Sequence, residues 1–151
     1  MLKDILNIDM INLGLEAKDW QEAISMAALP LVKGKKVEKE YVDSMINVVK
    51  ELGPYIVIMP GVAFAHARPD ASVHETCISM ITLKEPVNFG SSANDPVSII
   101  FAFAAENSNS HIMALQEVAE FLSIEENVET LKTSTDKRQI LDKILNGKGV
   151  K

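Results

Sequence analysis

Hydrophobic and polar positions follow two different rhythms along this chain. In the first and last thirds apolar residues return every three to four positions, and in the middle they alternate or form short solid blocks. From about Asp19 to Val32, the spacing of Trp20, Ala23, Ile24, Ala27 and Ala28 predicts a helix, which Pro30 is expected to bend or end early. Tyr41, Met45, Val48, Val49 and Leu52 form the apolar stripe of a second helix from about Glu38 to Leu52, with Gly53 as its stop. Ahead of both, Met10, Ile11 and Leu13 predict a short strand. Tyr55 to Met59, β-branched and bounded by Pro54 and Pro60, reads as a strand. Thr76 to Leu83 reads as another, followed by a turn at Lys84-Glu85-Pro86. Val97 to Ala104 is apolar on both faces apart from Ser98, as in a central strand covered on both sides. Ser108 or Asn109 can cap a helix running through Phe121 and Leu122, and Thr135 to Leu145 can form a last one, with Gly147 beyond its end. Helices flanking a buried sheet make an α/β sandwich.

Length and charge narrow the picture. With 151 residues the chain is expected to form one domain over residues 1–147, with 148–151 as a frayed tail. Apolar residues at 47% and charged residues at 24% exclude a disordered chain. A formal net charge of −6 with no basic block argues against nucleic acid and suits a basic protein partner. The single cysteine, Cys77, excludes an internal disulfide and a Cys-rich zinc site, and reads as a small buried hydrophobe. Met1-Leu2-Lys3-Asp4 does not open a signal peptide, and the longest near-continuous apolar run, Val97 to Ala105, is far short of the roughly 20 residues of a spanning helix. The expected compartment is the cytoplasm, with no membrane insertion.

Candidate chemistry rests on three histidines, His66, His74 and His111. An unperturbed imidazole, with a pKa of about 6.5, is largely neutral at pH 7 and can serve as base, ligand or nitrogen nucleophile. In Pro60-Gly-Val-Ala-Phe-Ala-His66-Ala-Arg68-Pro69, His66 and Arg68 stand two apart, so an extended backbone projects both to one face. A nucleophilic imidazole beside a guanidinium suits phosphoryl transfer, because arginine offers a permanent charge and a fork of donors to phosphate oxygens. His111 follows a polar run at a predicted helix start, where free N–H groups and the helix dipole favour anions, and could donate to a phosphoryl group arriving at His66. His74 reads as an exposed loop residue without a role. Asn94-Asp95-Pro96 reads as a turn entering a strand. No nucleotide-binding glycine loop, serine elbow or His-Glu-x-x-His is present, so no cofactor is expected and a phosphoryl donor must come from outside as a protein relay.

The stretch Gly53-Pro-Tyr-Ile-Val-Ile-Met-Pro-Gly-Val-Ala-Phe-Ala-His-Ala-Arg-Pro69 resembles the active-site segment of mannitol/fructose-type enzyme IIA of the bacterial sugar phosphotransferase system (PTS), and is most similar to the ascorbate-type subgroup. Trp20 to Ile24, Leu83 to Gly90 with Asn94 to Val97, and His111 to Leu122 agree, so the resemblance spans roughly residues 10–146. It implies a mixed β-sheet with helices on both faces. It implies a phosphocarrier in which His66 accepts a phosphoryl group from phospho-HPr, at Nε2, and passes it to a IIB component that serves a membrane IIC. His111 is then the second active-site histidine and Arg68 the phosphate-side cation. The carbohydrate implied is ascorbate or a relative. The family usually has proline immediately before the histidine; Ala65 stands there, which is expected to relax the approach to His66. A relay site must be open to two proteins in turn, so an apolar docking patch is expected around His66, with Phe64 a candidate member. Two other readings compete: a regulator on the same fold, phosphorylated at His66 but controlling a partner, and a histidine-based metallohydrolase.

Overall fold

The structure is a computed structural model and describes residues 2–146. The expected tail at 148–151 lies outside the described residues. Among the described residues five strands form one sheet: β1 (Ile11–Leu15), β2 (Val57–Met59), β3 (Val62–Ala65), β4 (Cys77–Val87) and β5 (Val97–Ala104), in the order β1-β4-β5-β3-β2. β1 runs parallel to β4 and β3 parallel to β5, while β4–β5 and β2–β3 are antiparallel, so the sheet is mixed. β5 is central, and its residues are buried on both faces apart from the half-buried Ser98, as their two-sided apolar pattern predicts.

Six helices lie among the described residues: α1 (Leu2–Ile5), α2 (Trp20–Lys33), α3 (Lys39–Leu52), α4 (Ser108–Leu122), α5 (Glu125–Thr133) and α6 (Lys137–Asn146). α2 lies across β4 and β5 and packs on α3, while α4, α5 and α6 form a second connected group that reaches β5 and β1. The core joins both layers through Ile24, Leu31 and Met45 from α2 and α3, Met80, Ile100 and Phe103 from the sheet, and Phe121, Leu131 and Ile140 from the later helices.

Several boundaries differ from the sequence expectation. Pro30 does not stop α2 early, and the helix runs on to Lys33. The proline stands near the helix's end, where one lost ladder bond is offset by burial of Ala27, Ala28 and Leu31. The true stop is a left-handed Lys35 (φ 60°), with Lys35 N–H bonded to Val32 O and Lys36 N–H to Leu31 O. β4 continues through the expected turn at Lys84-Glu85-Pro86 to Val87, because that stretch extends the pairing with β5 to Val87 opposite Val97. The cap of α4 is Asn107, whose side chain accepts from Ser110 N at 2.9 Å, rather than Ser108 or Asn109. The strand expected at Tyr55–Met59 shortens to β2, Met10 ends a 3-10 turn rather than opening β1, and α6 begins at Lys137. β3, α1 and α5 went unpredicted. Asn94-Asp95-Pro96 is a turn: the Asp95 carboxylate accepts from the N–H groups of Phe89, Gly90 and Ser91 at 2.9, 2.8 and 3.0 Å.

Candidate functional site

Topology brings two distant histidines together. β3 and β5 run parallel, in register from Val62 opposite Ile99 to Ala65 opposite Ala102. The chain therefore leaves both strands at the same end of the sheet, where open α/β sheets place their ligands. His66 is the first residue after β3. His111 lies in the first turn of α4, the helix that follows β5. Their ring centroids stand 5.0 Å apart with the planes near perpendicular.

Each ring is held on an aromatic floor. Phe64 lies against His66 (5.5 Å), Phe103 presents its edge relation to His111 (5.8 Å), and Phe64 and Phe103 stack on each other (5.7 Å). Tyr55 closes the outer side of His66 at 5.9 Å. His66 Nδ1 lies 2.8 Å from the Phe64 carbonyl. A carbonyl oxygen only accepts, so Nδ1 carries the proton, and in the neutral ring Nε2 holds a free lone pair. Burial is the larger influence on His66 and lowers its pKa, against the Phe64 carbonyl, which raises it. Burial also lowers the pKa of His111, and the neighbouring His66 lowers it further. Both rings are thus neutral at pH 7, and the geometry presents a nucleophilic nitrogen beside a second imidazole able to hydrogen-bond whatever that nitrogen holds.

Arg68 follows His66 by two residues beyond the end of β3 but is not joined to either ring. Across His66, Ala67 and Arg68 the backbone alternates half-buried, buried and exposed, so both polar side chains point away from the core. Arg68 makes no hydrogen bond or ion pair with any described residue, which leaves its guanidinium available to an anion. His74 sits apart from the pair, with Nε2 against Glu38 Oε2. Among the described residues no group of three or more His, Cys, Asp or Glu is placed to hold a metal, so nothing there supports the metallohydrolase reading. Cys77 is buried and its thiol is pushed up to about 12, chiefly by desolvation, which leaves it protonated and inert.

Residues 4–147 match the family described as "Phosphoenolpyruvate-dependent sugar phosphotransferase system, EIIA 2". The chain belongs to this family. It is 36% identical over 135 residues, 89% of this chain and 88% of the other, to the ascorbate-specific PTS system EIIA component of Escherichia coli strain K12. Among solved structures it is similar to the mannitol-specific cryptic phosphotransferase enzyme IIA CmtB of E. coli, with a TM-score of 0.85, 33% identity and coverage of 95% of this chain and 97% of that one. It is also similar to the E. coli chain in a complex of enzyme IIA-Mtl and phosphorylated enzyme IIB-Mtl, with a TM-score of 0.81, 29% identity and coverage of 94% and 97%. The mixed sheet under two helical layers is the mannitol-type IIA fold that the resemblance implied.

Two expectations about the IIA site change in the structure. Phe64 is fully buried, so it supports the histidines from below and offers nothing to a docking partner. Exposed apolar side chains come instead from Tyr55, whose ring is 5.9 Å from that of His66, and from Ile112 and Met113, which follow His111 in α4, at 49%, 55% and 51% exposure. Ala65 does not loosen the segment. It is the last residue of β3, fully buried and registered opposite Ala102, so sheet pairing restricts the backbone that proline would otherwise restrict. Sequence reading missed Tyr41 as a site neighbour and placed it in an apolar stripe. The available signal was a hydroxyl on an otherwise aliphatic face.

Proposed function

We propose that His66 Nε2 is the phosphoryl acceptor of this IIA component, with phospho-HPr as donor and a IIB component as acceptor. The carrying observation is the 2.8 Å contact of His66 Nδ1 with the Phe64 carbonyl, which leaves Nε2 as the nucleophilic nitrogen. As Nε2 attacks, its bond to phosphorus forms while the bond from phosphorus to the donor nitrogen breaks. The ring gains positive charge in that step, and the Phe64 carbonyl, already accepting from Nδ1–H, steadies it. His111, with its ring centroid 5.0 Å from that of His66, donates to a phosphoryl oxygen, and Arg68 supplies the cation on the open side. Tyr55, Ile112 and Met113 form the apolar ground on which each protein partner docks in turn. The net charge of −6 favours the approach of a basic donor.

Residues 1–147 act as one domain in this reading. No helix among the described residues is long and apolar enough to cross a membrane, and the chain works at the cytoplasmic side with a IIB partner and, through it, a membrane IIC. The identity to ascorbate-specific EIIA components supports ascorbate or a related carbohydrate as the transported solute. The test is relay from phosphoenolpyruvate through enzyme I and HPr, read by intact mass, then onward transfer to an ascorbate-type IIB. One acid-labile adduct on wild type, absent from His66→Gln and discharged by IIB, is the expected result. An adduct that no IIB discharges would favour the regulatory reading, and no adduct would remove His66 as acceptor.

A further inference from the structure

Tyr41 is a fully buried residue of α3, remote in sequence from both histidines. Its hydroxyl accepts from Ala67 N–H at 2.9 Å. The single hydroxyl proton faces two carbonyls, Ala67 O at 2.9 Å and Phe103 O at 3.0 Å. The peptide containing Ala67 N–H is the one that joins His66 to Ala67, and the peptide containing Ala67 O joins Ala67 to Arg68. One hydroxyl therefore accepts from the first of the two peptide groups between the nucleophile and its cation and shares its proton between the carbonyl of the second and that of Phe103. Its third partner, Phe103, carries the ring that packs on His111 and stacks on Phe64, whose carbonyl orients His66.

Its place in the sheet explains why such a group is needed. The β3–β5 ladder ends at Ala65 opposite Ala102. Just beyond, the Tyr41 hydroxyl stands between the two chains and takes up backbone groups that the ladder no longer pairs. Without a partner these buried groups would be left unsatisfied or would draw the strands into further pairing, which would turn His66 and Arg68 to new directions. Desolvation raises the phenol's pKa, so it stays protonated and keeps donating at working pH.

We infer that Tyr41 is a positioning residue of the phosphoryl-transfer site, a wedge that ends the β3–β5 ladder and thereby sets the directions of His66 and Arg68. This rests on His66 as acceptor, and the test separates the two ideas. Tyr41→Phe keeps the ring in the core and removes only the hydroxyl. For transfer from phospho-HPr it should lower kcat by about 10- to 100-fold, as a displaced nucleophile does, with KM within about twofold because Tyr55, Ile112 and Met113 are untouched. Nitrogen-15 NMR of the His66 ring should show Nδ1–H in wild type and a mixture of tautomers in the variant. Val49→Ala, buried on the same helix but away from Ala67, removes core packing instead and should leave kcat and the ring signals unchanged. A folded Tyr41→Phe protein with wild-type kcat and wild-type His66 signals overturns the inference, as does an equal loss of kcat in Val49→Ala. If wild type accepts no phosphoryl group, the acceptor reading fails while the NMR comparison still decides Tyr41. If Tyr41→Phe does not fold, amide exchange in wild type decides: Ala67 protected far beyond Arg68 supports the wedge, and equal exchange overturns it.

Discussion

The two ends of the central strands use polar groups in opposite ways. At the end where β3 and β5 begin, the turn at Asn94-Asp95-Pro96 commits its polar atoms to the fold. Asp95 takes three backbone N–H groups, Asn94 Nδ2 donates to Val57 O at 3.1 Å, and Asn94 O accepts from Gly61 N–H at 3.0 Å. At the end where the same strands finish, the hydroxyl of Tyr41 is committed in the same manner, but the groups above it are not. His66 spends Nδ1 on Phe64 and keeps Nε2 open, and Arg68 bonds to no described residue. Apolar side chains stay exposed there as well. Polar residues near strand ends are common to both regions, so residue type does not separate structure from function; what separates them is whether the polar atoms already have partners.

Substitutions at each end should break different properties. The largest effect is expected from His66→Gln, which abolishes phosphoryl acceptance by intact mass with no loss of thermal stability, since the half-buried ring makes one hydrogen bond to a carbonyl. His111→Ala should follow, slowing transfer about 100-fold through loss of one donor to the transferring group, with KM for HPr little changed. At the opposite end Asp95→Ala should leave transfer intact and cost about 1–3 kcal/mol of stability, because Phe89, Gly90 and Ser91 lose their acceptor. Denaturant unfolding with a parallel transfer assay checks this, and a stable Asp95→Ala protein that transfers slowly would erase the contrast between the ends.

The smallest expected effect is on pH dependence, and it belongs to the histidine end alone. Both ring pKa values are lowered in the folded state, His66 by burial and His111 by burial and then by His66. The unfolded chain therefore binds more protons on acidification, and these groups lose stability as pH falls through the unfolded value of about 6.5 towards the lower folded values. Above that value they contribute no slope. His66→Gln should flatten the acid side of a plot of melting temperature against pH, while Asp95→Ala should lower the whole curve. The same shifts keep Nε2 unprotonated at mildly acidic pH, so wild-type transfer should persist below pH 6.5, measured as initial rate across a pH series.

Much of this was legible in the residues. The helical spacing of Tyr41, Met45 and Val49 set α3 to within a residue, because an amphipathic stripe is a local signal. The two-sided apolar run at Val97–Ala104 marked β5 as central before any partner strand was known. His66 and Arg68 were readable as a nucleophile and a cation from their chemistry and spacing. Less local features were not readable. β3 holds only Val62–Ala65, too short for a periodic pattern, and α5 carries few apolar residues, so neither announced itself. Phe64 read as a surface candidate because adjacency in sequence says nothing about which side of a strand is covered.

By itself, then, the sequence determined α2, α3, α4 and α6, the central strand, a histidine and an arginine two apart, and the family to which the chain belongs. These follow from side-chain chemistry and from periodicities of two and 3.6 residues, which a chain carries wherever it folds. The tertiary structure alone decided that His111, forty-five positions from His66, stands 5.0 Å from it, that Nε2 rather than Nδ1 is free, and that a tyrosine from α3 parts the strands beneath them. Those facts depend on two parallel strands ending together and on which carbonyl meets which ring, and such long-range contacts leave no pattern in local spacing.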